Sequence, residues 1–302
     1  MLFRSINATG GKAPFAFYTD TDSTFVSSLP LIEKRYPGFD KTDEQFMIDK
    51  TNEIASEVQN KVNKMYDQYA KVFLNTDSHR FKIKQEYVAK SGLWIAKKRY
   101  AQWVIFKEGK PTDKMDIKGL DVVRSSFPDA FKTVMKETLW YILKGKDKQA
   151  TSTMILDFKK KIQDKNTPIL DVMKNSGVKE ISKYTKRRKP FSGYMSGSPA
   201  HVKSAINFND VLTQLTTDVI EITDGEKVKW AYLQNNPYGF DTMALRGYQD
   251  PKEIIDFVEM YIDRDKQFDR ELKGKLDDFY AAMNWGGLPE NNNVSKFFSF
   301  GK

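Results

Sequence analysis

Apolar positions along this chain change period from block to block, and the blocks outline its elements. Phe15, Phe17 and Tyr18 lead up to a polar tip, Thr19-Asp20-Thr21-Asp22-Ser23, and Thr24-Phe25-Val26 resumes the apolar pattern. That predicts two short strands joined by a tight turn. Gly10-Gly11 and Pro14 interrupt regular structure before this hairpin, and Pro30 and Pro37-Gly38 mark a loop after it. Thr42 with Gln45 three residues on has the form of a capping box. Ile54, Val58, Val62, Met65 and Tyr69 then recur at spacings of three and four, a core-facing stripe on a helix running to about Phe73.

From Phe81 the period drops to two, with Phe81, Ile83 and Gln85 on one face and Lys82, Lys84 and Glu86 on the other. Ser91-Gly92 predicts a turn, and Leu93–Ala96 leads through Lys97-Lys98-Arg99-Tyr100 into a strand over Ala101–Phe106. Glu108-Gly109-Lys110-Pro111 predicts the next turn, and Ile117–Val123 the returning strand of an antiparallel meander. Helical spacing returns at Phe131, Val134, Met135, Leu139 and Ile142, closed by Gly145, and a second helix is expected over Thr151–Ile162. Asp250 as cap with Pro251 in the first turn opens a late helix whose buried face is Ile254, Phe257, Val258, Tyr261, Ile262 and Phe268. The fold class is therefore α+β: an antiparallel sheet with packed helices, then a mainly helical domain.

Composition adds limits. The 302 residues suffice for two domains with proper cores. There are no cysteines, which excludes disulfides and thiolate metal sites. A net charge of +9 is compatible with a polyanionic partner without identifying one. No apolar run approaches membrane-spanning length, and Met1-Leu2-Phe3-Arg4 lacks the apolar core of a signal peptide. The expectation is a soluble intracellular protein without a membrane partner.

The candidate chemistry sits at the hairpin. Two carboxylates two positions apart in extended backbone share a face, and hard divalent cations prefer such oxygens. A solvated turn, in which Asp, Thr and Ser bond their own backbone, is the other reading of Asp20 and Asp22. Tyr18-Thr19-Asp20-Thr21-Asp22-Ser23 resembles the third polymerase motif of family B DNA polymerases, usually written YGDTDS, with Thr19 where the family normally has Gly. In that family the motif is the tip of a palm hairpin. The resemblance implies that Asp22 ligates catalytic Mg²⁺ in a two-metal site, that Asp20 supports it, and that Glu86, in Gln85-Glu86-Tyr87, stands near the same site. Lys97-Lys98-Arg99-Tyr100 is similar to the family's KxY element, in the KKRY form of T-even-type bacteriophage enzymes. On the residues alone Lys98 reads as a solvated strand charge. The resemblance makes it a donor to the minor-groove acceptors of a paired primer end, which occupy similar places in every base pair.

Further along, Gly119-Leu120-Asp121 and Arg124-Ser125-Ser126-Phe127-Pro128 resemble the family's junction of palm and thumb. Residues 178–204 carry seven basic side chains and one acidic, including Lys186, Arg187 and Arg188, with Tyr184, Phe191 and Tyr194 interleaved. Such a loop suits phosphate contacts, and a solvated loop is the competing view. His201 and Lys203 lie in a segment similar to the family's thumb. A lone His without a nucleophile or carboxylate partner in its motif is not read as catalytic. After Gly286-Gly287 and Asn291-Asn292-Asn293, the tail carries Phe297, Phe298 and Phe300. Its likeness to the phage polymerases' Phe-rich end implies a sliding-clamp peptide. The expected domains are residues 1–127 as palm, 128–285 as thumb and 286–302 as linker and clamp-binding tail.

Neither the family's first polymerase motif nor its nucleotide-binding fingers helix is found in the sequence. The chain starts at Met1 in what is mid-palm in an intact family member, so it reads either as one fragment or as a naturally split enzyme, with the short lead and its own Met favouring the split. The resemblance then implies the C-terminal subunit of a replicative polymerase in the cytoplasm of an infected bacterial host. It would pair with an N-terminal polymerase fragment as a heterodimer, act on primer-template DNA and dNTPs, and be inactive alone. A non-catalytic DNA-binding processivity factor with the palm-thumb shape is the second function class, and an unrelated α+β protein with a chance DTDS turn is the third.

Overall fold

The computed structural model describes residues 2–6, 16–185, 191 and 193–289. It is an α+β protein, 45% helical and 21% strand. Two compact units divide it: residues 1–120, 139–146 and 281–285 form the first, and residues 121–138, 147–280 and 286–302 the second.

The first unit holds strand β1 (Leu2–Ile6), the hairpin β2 (Ala16–Asp20) and β3 (Ser23–Val26), and helices α1 (Leu29–Arg35) and α2 (Glu44–Phe73). Strands β4 (Tyr87–Ala96), β5 (Arg99–Lys107) and β6 (Lys110–Lys118) follow. The sheet order is β1-β4-β5-β6, antiparallel except for the β1–β4 pair, while β2 and β3 form a separate two-stranded sheet. Adjacent residues of a strand face opposite ways, and Val88 and Ala89 accordingly join different clusters. Val88 and Ile105 pack with Ile32 of α1 and Met47, Ile48 and Ile54 of α2. Ala89, Trp94 and Tyr100 pack under the hairpin's Phe25.

Several expectations need correcting. Helix α2 is capped by Asp43, whose carboxylate accepts from the Phe46 amide at 2.9 Å, because Thr42 is already committed to the Asp40 carboxylate. Its apolar stripe is core only in the first half: Ile54 is buried, but Met65 is 63% and Tyr69 52% exposed. Residues 81–86 are not a strand. Their backbone instead bonds side chains of α2, with the Ile83 amide on Asn63 Oδ1 at 2.8 Å and the Gln85 amide on Gln59 Oε1 at 2.9 Å. Finally, Ser91-Gly92 is no turn. Both lie inside β4, where the Trp94 ring sits 2.5 Å from the place a Cβ on Gly92 would take. The reversal comes later, at Lys97-Lys98, and Glu108-Gly109 turns β5 into β6 with both residues at positive φ, as a tight two-residue hairpin turn requires. Strand β6 thus begins at Lys110 and ends at Lys118, ahead of a 3₁₀ turn at Asp121–Val123.

Helix α3 (Asp129–Leu143) starts in the second unit and ends in the first. The second unit continues with α4 (Lys148–Gln163), α5 (Ile169–Val172), β7 (Lys174–Gly177), α6 (Ile181–Tyr184) and α7 (Ala200–Leu212). Strands β8 (Lys227–Tyr232) and β9 (Thr242–Leu245) complete an antiparallel sheet of order β7-β8-β9. The buried Asn207 of α7 donates to the Thr242 carbonyl of β9 at 2.7 Å, which sets how the helix seats on that sheet. Helix α8 (Lys252–Tyr261) has Pro251, not Asp250, at its N-cap. The Asp250 carboxylate instead accepts from the Arg246 and Gly247 amides and closes the preceding loop. The expected late helix breaks after Tyr261 into α9 (Arg264–Phe268), a π turn at Asp269–Lys273 and α10 (Gly274–Ala282). Arg264 holds the break by donating to the Ile162 and Thr167 carbonyls.

The two halves of α2 should respond differently to truncation. Ile54→Ala is expected to cost about 2–5 kcal/mol, and Met65→Ala no more than about 0.5 kcal/mol. Urea denaturation of the two variants checks this, and equal losses would place the whole stripe in the core.

A candidate active-site hairpin

The β2–β3 pairing sets Tyr18 opposite Phe25, Thr19 opposite Thr24 and Asp20 opposite Ser23. Thr21 and Asp22 therefore form the turn, and Thr21 takes the left-handed φ of 53°, which is costly for a β-branched residue. Thr19, which replaces the motif's usual Gly, is an ordinary exposed strand residue, so no glycine is needed there. Period two places Asp20 on the face of Tyr18 and Phe25. Asp22 lies in the turn, where strand alternation does not govern it, and is exposed. The hairpin is buried on one face only: Phe25 is buried, while Thr19 and Thr24 are exposed.

That packed face is aromatic. Phe25 meets Trp94 at 5.6 Å, Tyr100 at 5.5 Å and Tyr18 at 5.5 Å between ring centroids, and Trp94 stacks on Tyr100. Each such pair adds about 0.5–1.5 kcal/mol beyond burial. Lys97 and Lys98 form the β4–β5 turn at the edge of this cluster. Lys98 has φ 62°, its amide donates to the Tyr18 hydroxyl at 2.8 Å, and its ammonium stands 3.3 Å from Asp20 Oδ1. Gly119 closes the turn from behind. A Cβ there would lie 2.0 Å from the Lys98 carbonyl oxygen, and its own φ of 65° also favours glycine.

Glu86 is exposed and lines a cleft of about 580 Å³ together with Ser23, Tyr87, Tyr100, Asp116 and Lys118. Beneath it the buried Gln102 donates to the Tyr87 hydroxyl at 2.8 Å. The Tyr100 phenol is pushed up to about 12, first by burial and then by the negative charges of Asp116, Asp20 and Glu86. Asp116 is the residue that sequence reasoning missed. It pairs across from Gln102 and bridges to Lys118 at 3.3 Å. Starting the returning strand at Lys110 would have put Thr112, Lys114, Asp116 and Lys118 on one face and exposed the signal. Among the described residues no three His, Asp or Glu side chains converge as a metal cage. Asp20 and Asp22 thus offer hard oxygen donors suited to a divalent cation, but only part of a ligand set.

Tyr18 of the hairpin and the Lys98 turn meet although they are 80 residues apart in the chain. In comparisons with known proteins, the family model described as DNA polymerase family B matches residues 16–264, from the hairpin to the first residue of α9. The chain belongs to DNA polymerase family B. Membership assigns it to DNA-directed DNA polymerases, which act on primer-template DNA and dNTPs and generally use divalent metals. Among curated proteins none matches the chain.

The remaining candidate residues of this polymerase chain belong to both units. Lys97 is exposed, Arg99 is half-buried beside Gly119, and Tyr100 is 8% exposed, its ring committed to the aromatic cluster. In the second unit, His201 and Lys203 lie in the first turns of α7, with the Lys203 ammonium 5.6 Å from the Tyr194 ring centroid. The Tyr194 hydroxyl bonds the Asn207 amide oxygen. Lys186, Arg187 and Arg188 of the basic run, and Phe297, Phe298 and Phe300 of the tail, lie outside the described residues. No described helix is long and apolar enough to cross a membrane.

His201 titrates below the ordinary range, because burial penalises the imidazolium and Lys174 repels it. The neutral imidazole is therefore its favoured form at pH 7. The sign follows: the folded state resists protonation, so His201 costs stability as pH falls below about 6.5. An NMR titration of His201 should give a midpoint below that value, and a midpoint at or above it would contradict the assignment.

Proposed function

We propose that this chain is the C-terminal subunit of a split, T-even-type family B DNA polymerase. It contributes part of the palm (residues 1–127), the thumb (128–285) and a clamp-binding tail (286–302). The observation that carries this reading is the meeting of the two polymerase motifs, with Lys98 Nζ 3.3 Å from Asp20 Oδ1. A primer end read by Lys98 then lies beside the carboxylates that serve the reaction.

Asp22 is the direct metal ligand in this account, Asp20 supports it and anchors Lys98, and Glu86 borders the same site from the cleft. Two Mg²⁺ ions bound there supply activation of the primer 3′ hydroxyl and stabilisation of the leaving pyrophosphate. Lys97, Lys98, Arg99 and Tyr100 face or support the primer end. Lys186, Arg187, Arg188 and Lys203 add phosphate contacts that are independent of sequence, and His201 stands with them as a neutral hydrogen-bond partner. The remaining palm carboxylate and the nucleotide-binding fingers come from a second chain, the N-terminal polymerase fragment, in a heterodimer. The fit with Asp20 and Asp22 as a partial ligand set supports that division. Phe297, Phe298 and Phe300 dock on a sliding clamp, as short aromatic peptides dock in grooves. The setting is replication in the cytoplasm of a phage-infected bacterium.

Asp22→Ala in the two-chain assembly tests the site. A metal's charge stabilisation is worth several kcal/mol, so single-turnover incorporation should fall by at least about a hundredfold with primer-template affinity nearly unchanged. Incorporation within tenfold of wild type would remove Asp22 from the ligand set.

A further inference from the structure

The Lys97-Lys98 turn is held more firmly than a solvent-exposed two-residue turn needs to be. Lys98 is a non-glycine residue at φ 62°, a conformation that costs energy unless its surroundings impose it. Two neighbours do so. From the front, the Tyr18 hydroxyl accepts the Lys98 amide at 2.8 Å. From behind, Gly119 leaves room for the Lys98 carbonyl oxygen where any Cβ would stand at 2.0 Å. The Lys98 side chain itself is 63% exposed, and its ammonium reaches Asp20 Oδ1 at 3.3 Å. A long exposed lysine cannot be aimed by that ion pair alone, since surface pairs contribute little. Its direction is set by the backbone beneath it.

We propose that Tyr18 is a positioning residue for this polymerase: its hydroxyl fixes the Lys98 turn and thereby aims the lysine side chain at the primer end. The inference rests on the reading of Lys98 as the primer contact, and goes beyond it by giving the tyrosine of the hairpin motif a task. The ring of Tyr18 packs on Phe25 and Tyr100 at 5.5 and 5.9 Å, so the hairpin keeps its seat whether or not the hydroxyl is present. The hydroxyl ties the hairpin that carries Asp20 to the backbone of the turn that carries Lys98, beside the exposed ion pair between their side chains. Metal-site hairpin and primer contact therefore move as one body, and an error in one is transmitted to the other.

The test is a double-mutant cycle in the full-length chain with its partner, using Tyr18→Phe, Lys98→Ala and both together. Tyr18→Phe keeps the ring and removes one hydrogen bond, so matched-primer extension should fall about three- to tenfold with dNTP affinity unchanged. On the Lys98→Ala background it should have no further effect, because the side chain it aims is gone. Losses that add would mean that the Tyr18 hydroxyl acts independently of the Lys98 side chain and would overturn the proposal. Amide exchange at Lys98, followed by NMR in the same variants, separates this from the functional reading. Faster exchange in Tyr18→Phe supports the positioning role even if the wild-type pair extends no primer, in which case it is the polymerase reading that fails. Unchanged exchange overturns the positioning role whatever the activity.

Discussion

A two-stranded hairpin is marginally stable in water by itself, and among the described residues β2–β3 shares no ladder with the four-stranded sheet. Its place is held by side chains: Phe25 buried among Trp94, Tyr100 and Tyr18, and one hydrogen bond from the Lys98 amide to the Tyr18 hydroxyl. The arrangement of the candidate site depends on that seating. It carries Asp20 to the Lys98 ammonium, leaves Asp22 at the exposed turn and opens the cleft bordered by Ser23 and Glu86. Aromatic packing suits this task because it combines large burial with defined ring geometry.

The electrostatics of the site follow from the same seating. Asp20, Glu86 and Asp116 all raise the Tyr100 phenol, so several negative charges surround one buried ring. Lys98 and Lys118 answer two of them directly, at 3.3 Å each. Exposed or half-exposed pairs of this kind contribute little to stability. What they do is pair acidic oxygens with cationic side chains at two places in the first unit.

The hairpin, the Glu108-Gly109 turn and the helical stripes of α3 were legible because each rests on a local rule: apolar runs around a polar tip, turn glycine, and spacing of three and four. What was not legible depends on partners far away in sequence. Gly92 reads as a turn residue, yet it makes room for the Trp94 ring inside β4. Residues 81–86 alternate like a strand, but their polar backbone is satisfied by Asn63 and Gln59 of a helix. Thr42 has the capping-box form, yet Asp40 takes its hydroxyl and leaves the cap to Asp43. Asp116 was hidden by a strand boundary placed seven residues late, at Ile117 in place of Lys110. The roles of Asp20 and Asp22 came from resemblance, since a turn and a metal tip share the same residue types.

The central claim is that these residues form one wall of a polymerase site completed by another chain. Primer extension with the purified chain and Mg²⁺, with and without the N-terminal polymerase fragment, tests it most directly, because in-line phosphoryl transfer needs both metals held and the nucleotide's phosphates clamped. The account predicts no templated synthesis by this chain alone and robust synthesis by the stoichiometric pair. Robust synthesis by this chain without a partner would contradict it.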